Sequence, residues 1–117
     1  MFNGDVYWEN LSTKRLGNTL FYIDVIPTTM PVLDSLQFSC GEDIGLIAVA
    51  GRQTVGKGRG GNSWLSPVGC AMFTIHVSML LGSNLGKAAS YLQHLTSLAL
   101  VEGIRSIPGY KDIDLRL

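Results

Sequence analysis

No apolar run in this 117-residue chain reaches the roughly 18 residues that a membrane-spanning helix needs. Its first residues also lack the basic stretch and apolar core of a secretory signal. An excess of charge is missing too: nine basic and nine acidic side chains cancel. That balance argues against a nucleic-acid surface, whose mark is a basic stripe or a clear cationic excess. Cysteine is scarce. Cys40 and Cys70 make no disulfide framework, and neither has a partner at metal-ligand spacing. Both are expected as free thiols, with Cys70 packed in a strand, in a reducing compartment. The chain is therefore read as soluble and cytoplasmic, with room for a mitochondrial form, and the Asn10-Leu11-Ser12 triplet has no meaning as a glycosylation signal if the chain is never secreted. His76 has no histidine or carboxylate near it in sequence, so it reads as a satisfied histidine of a sheet, and no metal site is expected.

What the chain does have is one unusual stretch, Gly51-Arg52-Gln53-Thr54-Val55-Gly56-Lys57-Gly58-Arg59-Gly60-Gly61-Asn62-Ser63-Trp64. Five glycines, three cations, two amides and an indole lie between two apolar runs, Leu46 to Ala50 and Cys70 to Val77, that read as strands. The expectation is a loop. Its glycines let backbone N–H groups approach a ligand without a Cβ in the way, and Lys57 and Arg59 can converge on a phosphate or a carboxylate. Fixing glycine is entropically costly, so an empty loop is expected to be mobile and to be ordered by its ligand. Taken without their surroundings, Lys57 and Arg59 also read as a solvated basic turn.

Two familiar nucleotide motifs are almost present and both fail on context. A Walker A loop would use Gly51, Gly56 and Lys57, but Gly58 stands where a hydroxyl must hold Mg²⁺, and Pro67 and the glycines oppose the helix that should follow. Gly56, Gly58 and Gly61 fit G-x-G-x-x-G, yet no helix follows and the next acidic residue is Glu102.

The rest of the chain reads as mixed α and β. Residues 1 to 18 form a lead-in with no assigned structure. Thr19 to Ile26 is β-branched and aromatic, a strand ended by Pro27. Met30, Leu33 and Leu36 share one face of a short helix; Thr28 can cap it, and Pro31 falls in its first turn. The Thr28–Thr29 pair has two readings, a helix cap or a set of hydroxyls and amides offered to a polar ligand, and both stay open here. Ser39 to Asp43 is turn-like. Leu46 to Ala50 is apolar throughout, as in a strand covered on both faces. Trp64 reads equally as core or as the wall of a ligand pocket. Cys70 to Met79 suggests a long strand, and Leu80 to Gly86 breaks the pattern. A helix from Ala88 to Ile107 follows, with Tyr91, Leu92, Leu95, Leu98, Ala99 and Ile104 as its apolar stripe, Gln93, His94 and Glu102 as its wet face, and Pro108-Gly109 as its stop. Ile113 to Leu117 alternates like a half-buried strand; left unpaired, it would open a sheet edge to an oligomer partner.

The segment Gly56-Lys57-Gly58-Arg59-Gly60-Gly61-Asn62-Ser63-Trp64, with Leu65-Ser66-Pro67 after it and Thr28-Thr29 before it, resembles the biotin loop of the biotin–protein ligases, in particular the eukaryotic, holocarboxylase synthetase type. The likeness runs from about Thr19 to the C-terminus. It implies an α+β fold, a mixed β-sheet with helices packed on one side like the class II synthetase and biotin-ligase catalytic core, with residues 19–117 as its N-terminal part. It also implies an enzyme that joins biotin and ATP into biotinyl-5′-AMP, with Mg²⁺ accompanying the ATP, and transfers biotin to a lysine of carboxylase acceptor domains.

By resemblance, Thr28, Thr29, Met30 and Gln53 take the ureido ring. Met30 replaces an asparagine of the family, so one side-chain contact is lost or passes to the backbone. Lys57, Gly58 and Arg59 fall to the carboxylate end of biotin, and Lys57, Arg59 and Trp64 to the nucleotide and its phosphates. The family's catalytic lysine belongs to a Lys-Trp-Pro-Asn-Asp segment that is not in this sequence. The expectation is thus a truncated chain with impaired or no catalysis. Two other readings are a non-catalytic biotin-binding or interaction fragment and a lipoate–protein ligase-like acyl transferase, though the latter's loop lacks the Lys-Gly-Arg-Gly-Gly pattern.

Overall fold

A computed structural model describes residues 1–36, 45–112 and 114. The expected turn at Ser39–Asp43, the thiol of Cys40 and the expected strand Ile113–Leu117 lie outside the described residues. The chain divides into two compact units, Met1–Ser78 and Met79–Leu117.

In the first unit the lead-in forms a helix, α1 (Gly4–Asn10), whose first turn is capped by Asn3 Oδ1 accepting from the N–H groups of Asp5 and Val6. Strand β1 (Leu20–Ile26) and helix α2 (Met30–Leu36) follow as the pattern predicts. Strand β2 (Leu46–Lys57) is seven residues longer than its apolar run. A turn of 3₁₀ helix at Arg59–Gly61 leads to β3 (Ser63–Ser66), and β4 (Met72–His76) closes the sheet.

The sheet is mixed and β2 is its spine. β1 pairs parallel along one side, from Leu20 opposite Ile47 to Ile26 opposite Gln53. The other side is shared by two antiparallel partners, β4 along residues 46–50 and β3 along residues 53–57. Parallel pairing of β1 and β2 requires a crossover, and α2 lies within it. Leu33 of α2 is 1% exposed over Leu46 at 2% and Ala48 at 0%, with Phe21 and Val32 packed beside them. Both faces of β2 were expected to be covered; instead the side chains of Leu46, Ala48 and Ala50 are buried, while Ile47 and Val49 on the other face are half-buried.

That second face meets the N-terminal segment. Phe2 stacks on Tyr22 with ring centroids 5.3 Å apart, and Tyr7 donates its hydroxyl proton to the Gly17 carbonyl at 2.7 Å. Gly17 takes a left-handed φ of 79°, and a Cβ there would overlap the Tyr7 hydroxyl. An apolar cavity of about 490 Å³ opens on this face, between Phe2, Tyr7, Val49, Phe73 and Ile75.

Burial raises the Tyr7 hydroxyl above the ordinary tyrosine value of 10.0. The folded chain then holds that proton to higher pH than the unfolded chain does. Its contribution is complete below pH 10 and declines as pH rises past that value. Between about pH 9 and about pH 11, Tyr7→Phe is expected to lose less melting temperature than the unchanged protein. Equal losses in the two melting curves would remove Tyr7 as a cause.

Two strand boundaries differ from the sequence pattern. Pro67 and Gly69, the latter at φ 99°, make a turn closed by the Cys70 N–H on the Pro67 carbonyl. This turn delays β4 to Met72 and leaves Cys70 exposed, not packed in a strand. The strand also ends at His76, where Cys70 to Met79 was expected.

In the second unit the expected helix Ala88–Ile107 begins with a 3₁₀ turn at Ala89–Tyr91 and is α-helical only over Leu92–Arg105, which ends before Pro108-Gly109 as expected. Before it, where Leu80–Gly86 was expected to break the pattern, a short helix α3 (Asn84–Lys87) is capped by Ser83, and the longer helix is α4. Leu92 and Ile104 of the apolar stripe are half-buried, but Tyr91, Leu95 and Leu98 are exposed. Among the described residues no helix is long and apolar enough to cross a membrane.

Candidate functional site

The stretch expected to be a loop is mostly a β-hairpin. Strand β2 continues through Gly51, Gln53 and Gly56 to Lys57, and only Gly58 to Asn62 turn. Backbone pairing with β3 supplies what the local propensity of the glycines does not, with Lys57 opposite Ser63 and Gly56 opposite Trp64. Close approach explains two of these glycines. A Cβ at Gly51 would lie 2.8 Å from the Asp24 carbonyl, and one at Gly56 would lie 3.0 Å from the Trp64 carbonyl. The turn itself needs glycine at Gly60 and Gly61, with φ of 70° and 82°, and it closes with Gly58 N–H on the Asn62 carbonyl at 2.7 Å.

The register slips by one residue between Gln53 and Gly56, which is a β-bulge. On the opposite edge of β2 the Val55 N–H donates to the Pro27 carbonyl at 2.9 Å, at the same 28-residue offset as Ile47 N–H on the Thr19 carbonyl, so it continues the parallel pairing with β1. That bond holds the segment carrying Thr28 and Thr29 against β2. Both threonines are buried, Thr29 to 2% exposure. The Thr29 N–H donates to Gln53 Oε1 at 2.8 Å, and Thr29 Oγ1 lies 3.4 Å from the same oxygen. Thr29 Oγ1 is also 2.7 Å from Thr74 Oγ1 on β4. Thr74 stands opposite Ala48 of β2 in the register. Thr29, Gln53 and Thr74 thus form one polar cluster within a small apolar core.

Thr74 was not singled out in the sequence. Its only signal was a hydroxyl in an otherwise largely apolar strand, too common a feature to stand out. His76, two residues further along the same face of β4, was expected to be satisfied; its buried Nδ1 has no hydrogen-bond partner among the described residues. Met30 begins α2 and is 55% exposed.

The cationic residues sit at the far end of the hairpin. Lys57 is the last residue of β2, Gly58 opens the turn, and Arg59 lies within it; both cations are exposed. Trp64 is 62% exposed and so is not core. Its indole lies against Gly58, where an added Cβ would overlap Nε1 and come within 3.1 Å of Cδ1. At the other end of the stretch, Tyr22 donates to Asp24 Oδ1 at 3.3 Å beside Gly51, and partial burial, then the charge and hydrogen bond of Asp24, raise the Tyr22 hydroxyl. Among the described residues no group of three His, Cys, Asp or Glu side chains is placed to hold a metal ion. The 490 Å³ apolar cavity is lined by Gly51 and Cys70 but by none of Thr28, Thr29, Gln53, Lys57 or Arg59.

A mixed sheet of this topology, with helices against it, occurs in a solved biotin protein ligase from Leishmania major in complex with biotinyl-5-AMP. That structure matches 75% of this chain and 34% of its own at a TM-score of 0.66 and 25% identity. The fold is therefore part of a biotin-ligase catalytic core. Residues 22–117 match the biotin/lipoate A/B protein ligase family, and the chain belongs to that family. A human biotin--protein ligase is 53% identical over 116 residues, covering 99% of this chain and 16% of the human protein. A biotin--protein ligase of Schizosaccharomyces pombe is 31% identical over 96% of this chain and 18% of its own length. The chain thus spans less than a fifth of either relative.

Proposed function

We propose that this chain carries the biotin-contacting and phosphate-contacting part of a biotin–protein ligase. The observation that carries the reading is the Thr29–Gln53 bond at 2.8 Å, standing on the same strand as the Gly56–Arg59 hairpin. A ureido ring is a small polar group with both donors and an acceptor, and burying it without partners would cost a few kcal/mol. The Gln53 carboxamide can both donate and accept, as such a ring requires. Thr28, Thr29 and Gln53 form the ureido end, Thr29 by holding the Gln53 carboxamide in place, with Met30 contributing backbone only. Four residue steps of strand take Gln53 to Lys57, about 13 Å at full extension. That distance has the scale of biotin stretched from ring to carboxylate, so Lys57, Gly58 and Arg59 meet the carboxylate and the ATP phosphates, with Trp64 beside them.

In the first step a carboxylate oxygen of biotin attacks the α-phosphorus of ATP. The new O–P bond forms as the bond to pyrophosphate breaks, giving biotinyl-5′-AMP. A lysine amine of a carboxylase acceptor domain then attacks the acyl carbon, forms the amide and releases AMP. Two anions meet in the first step, and fixed cations and N–H groups aimed at the developing charge lower that barrier. Arg59 grips two oxygens through its fork, whereas Lys57 supplies a point charge. Mg²⁺ enters as the ion carried by the ATP phosphates. Closure of the hairpin over the adenylate would keep water from a mixed anhydride. The free, exposed Cys70 suits a reducing compartment such as the cytoplasm or the mitochondrial matrix.

Two titrations test the reading. Biotin is expected to bind with measurable heat, and biotin with ATP to support weak pyrophosphate exchange. Binding without exchange would reduce the function to biotin recognition, and absence of both would overturn it.

A further inference from the structure

Thr74 has no part in the reading above, yet it is bonded to residues that do. A backbone N–H can only donate, so the carboxamide of Gln53 must turn its oxygen to Thr29 N, at 2.8 Å, and its NH₂ away. The Thr29 hydroxyl lies 3.4 Å from the same oxygen. Thr29 Oγ1 and Thr74 Oγ1 lie 2.7 Å apart, and either hydroxyl can donate. The hydrogen bonds link Thr74 to Thr29 and Thr29 to Gln53. Left over at the ends are, whichever hydroxyl donates, a lone pair of Thr74 Oγ1 and the two protons of Gln53 Nε2.

Burial decides which of these groups a ligand meets. Thr29 is 2% exposed, whereas Gln53 and Thr74 are only half-buried. The accessible ends of the chain are therefore an NH₂ donor on β2 and a hydroxyl acceptor on β4, on either side of a buried link. A cyclic urea carries the complement of that pair, a carbonyl oxygen that accepts and a ring N–H that donates.

We propose that Thr74 is a specificity-determining residue for the ureido ring: its Oγ1 accepts a ureido N–H while Gln53 Nε2 donates to the ureido oxygen. This rests on the biotin reading. Thr29 is then the buried link between the two. Ala48 lies opposite Thr74 in the register and is 0% exposed.

The test uses the protein with Thr74→Val, which keeps shape and loses the hydroxyl, and Thr74→Ser, which keeps the hydroxyl. Melting curves establish that both fold. Calorimetric titration with biotin is expected to show about a tenfold weaker Kd for Thr74→Val and a Kd close to that of the unchanged protein for Thr74→Ser. Biotin labelled with ¹⁵N in its ureido ring supplies a readout that a structural role would not move. One bound ureido N–H proton is expected downfield in the unchanged protein and in Thr74→Ser, and near its free position in Thr74→Val. Unaltered affinity and shift in a folded Thr74→Val protein would overturn the assignment of Thr74 and leave the biotin reading standing. A parallel loss in Thr74→Ser would also overturn it, as a packing effect. Absence of biotin binding by the unchanged protein would overturn both.

Discussion

Gln53→Leu is expected to weaken biotin binding by about a hundredfold and to lower folding stability by about 1–3 kcal/mol. The two losses have separate causes. Leucine offers no donor to the ureido oxygen, and it also leaves the N–H of Thr29 without the acceptor it now has at 2.8 Å. Thr29 is 2% exposed, so water cannot readily replace that acceptor, and an unsatisfied buried donor bears its desolvation penalty. Gln53→Glu separates the effects. A carboxylate still accepts from Thr29 but presents no NH₂, so stability should largely survive while affinity falls. Calorimetry with biotin and urea melts of the three proteins provide the comparison. A leucine variant that binds biotin as tightly as the unchanged protein would remove Gln53 from the site.

The second large effect is expected at Arg59. Arg59→Lys keeps the charge but loses the planar fork that can hold two oxygens at once. Removing one well-placed donor from a developing anion costs on the order of 100-fold in rate, so pyrophosphate exchange at saturating biotin and ATP should fall by about that factor. Lys57→Arg is the contrasting change. It retains charge at the end of β2 and adds donors, so exchange should be little altered. The expected asymmetry would be lost if Arg59→Lys were as active as the unchanged protein, and the phosphate role of Arg59 would go with it. Arg59 lies in the turn that Gly60 and Gly61 make at left-handed φ. A melting curve beside the rate shows whether the turn itself has been disturbed.

The sequence made some elements legible and misdescribed others, for reasons that can be assigned. β1 and α2 appear where β-branched and helical spacing place them, because both have an apolar face to bury. The Gly51–Trp64 stretch was read as a loop since glycine and cations disfavour strands locally. Pairing with β1 and β3 overrides that preference. The first 18 residues held no assignable pattern, yet Tyr7 finds the Gly17 carbonyl and Phe2 finds Tyr22, so α1 is tied to the rest by contacts between residues distant in sequence. The Cys70–Met79 pattern was too long because Pro67 and Gly69 impose a turn before β4 begins.

The sequence by itself determined the chemistry on offer: a carboxamide at Gln53, hydroxyls at Thr28 and Thr29, and cations at Lys57 and Arg59 among glycines, in an order that resembles one family. Residue types and their spacing are local properties, and a linear reading reaches them. Only the tertiary structure decided that Thr29 meets Gln53 across 24 residues and Thr74 across 45. Those contacts depend on strand order, with β4 beside β2, and on the Val55–Pro27 bond that carries the β1–β2 pairing past Ile26. The cluster exists only because the fold buries Thr29 between Gln53 and Thr74, and burial is a property of the folded chain.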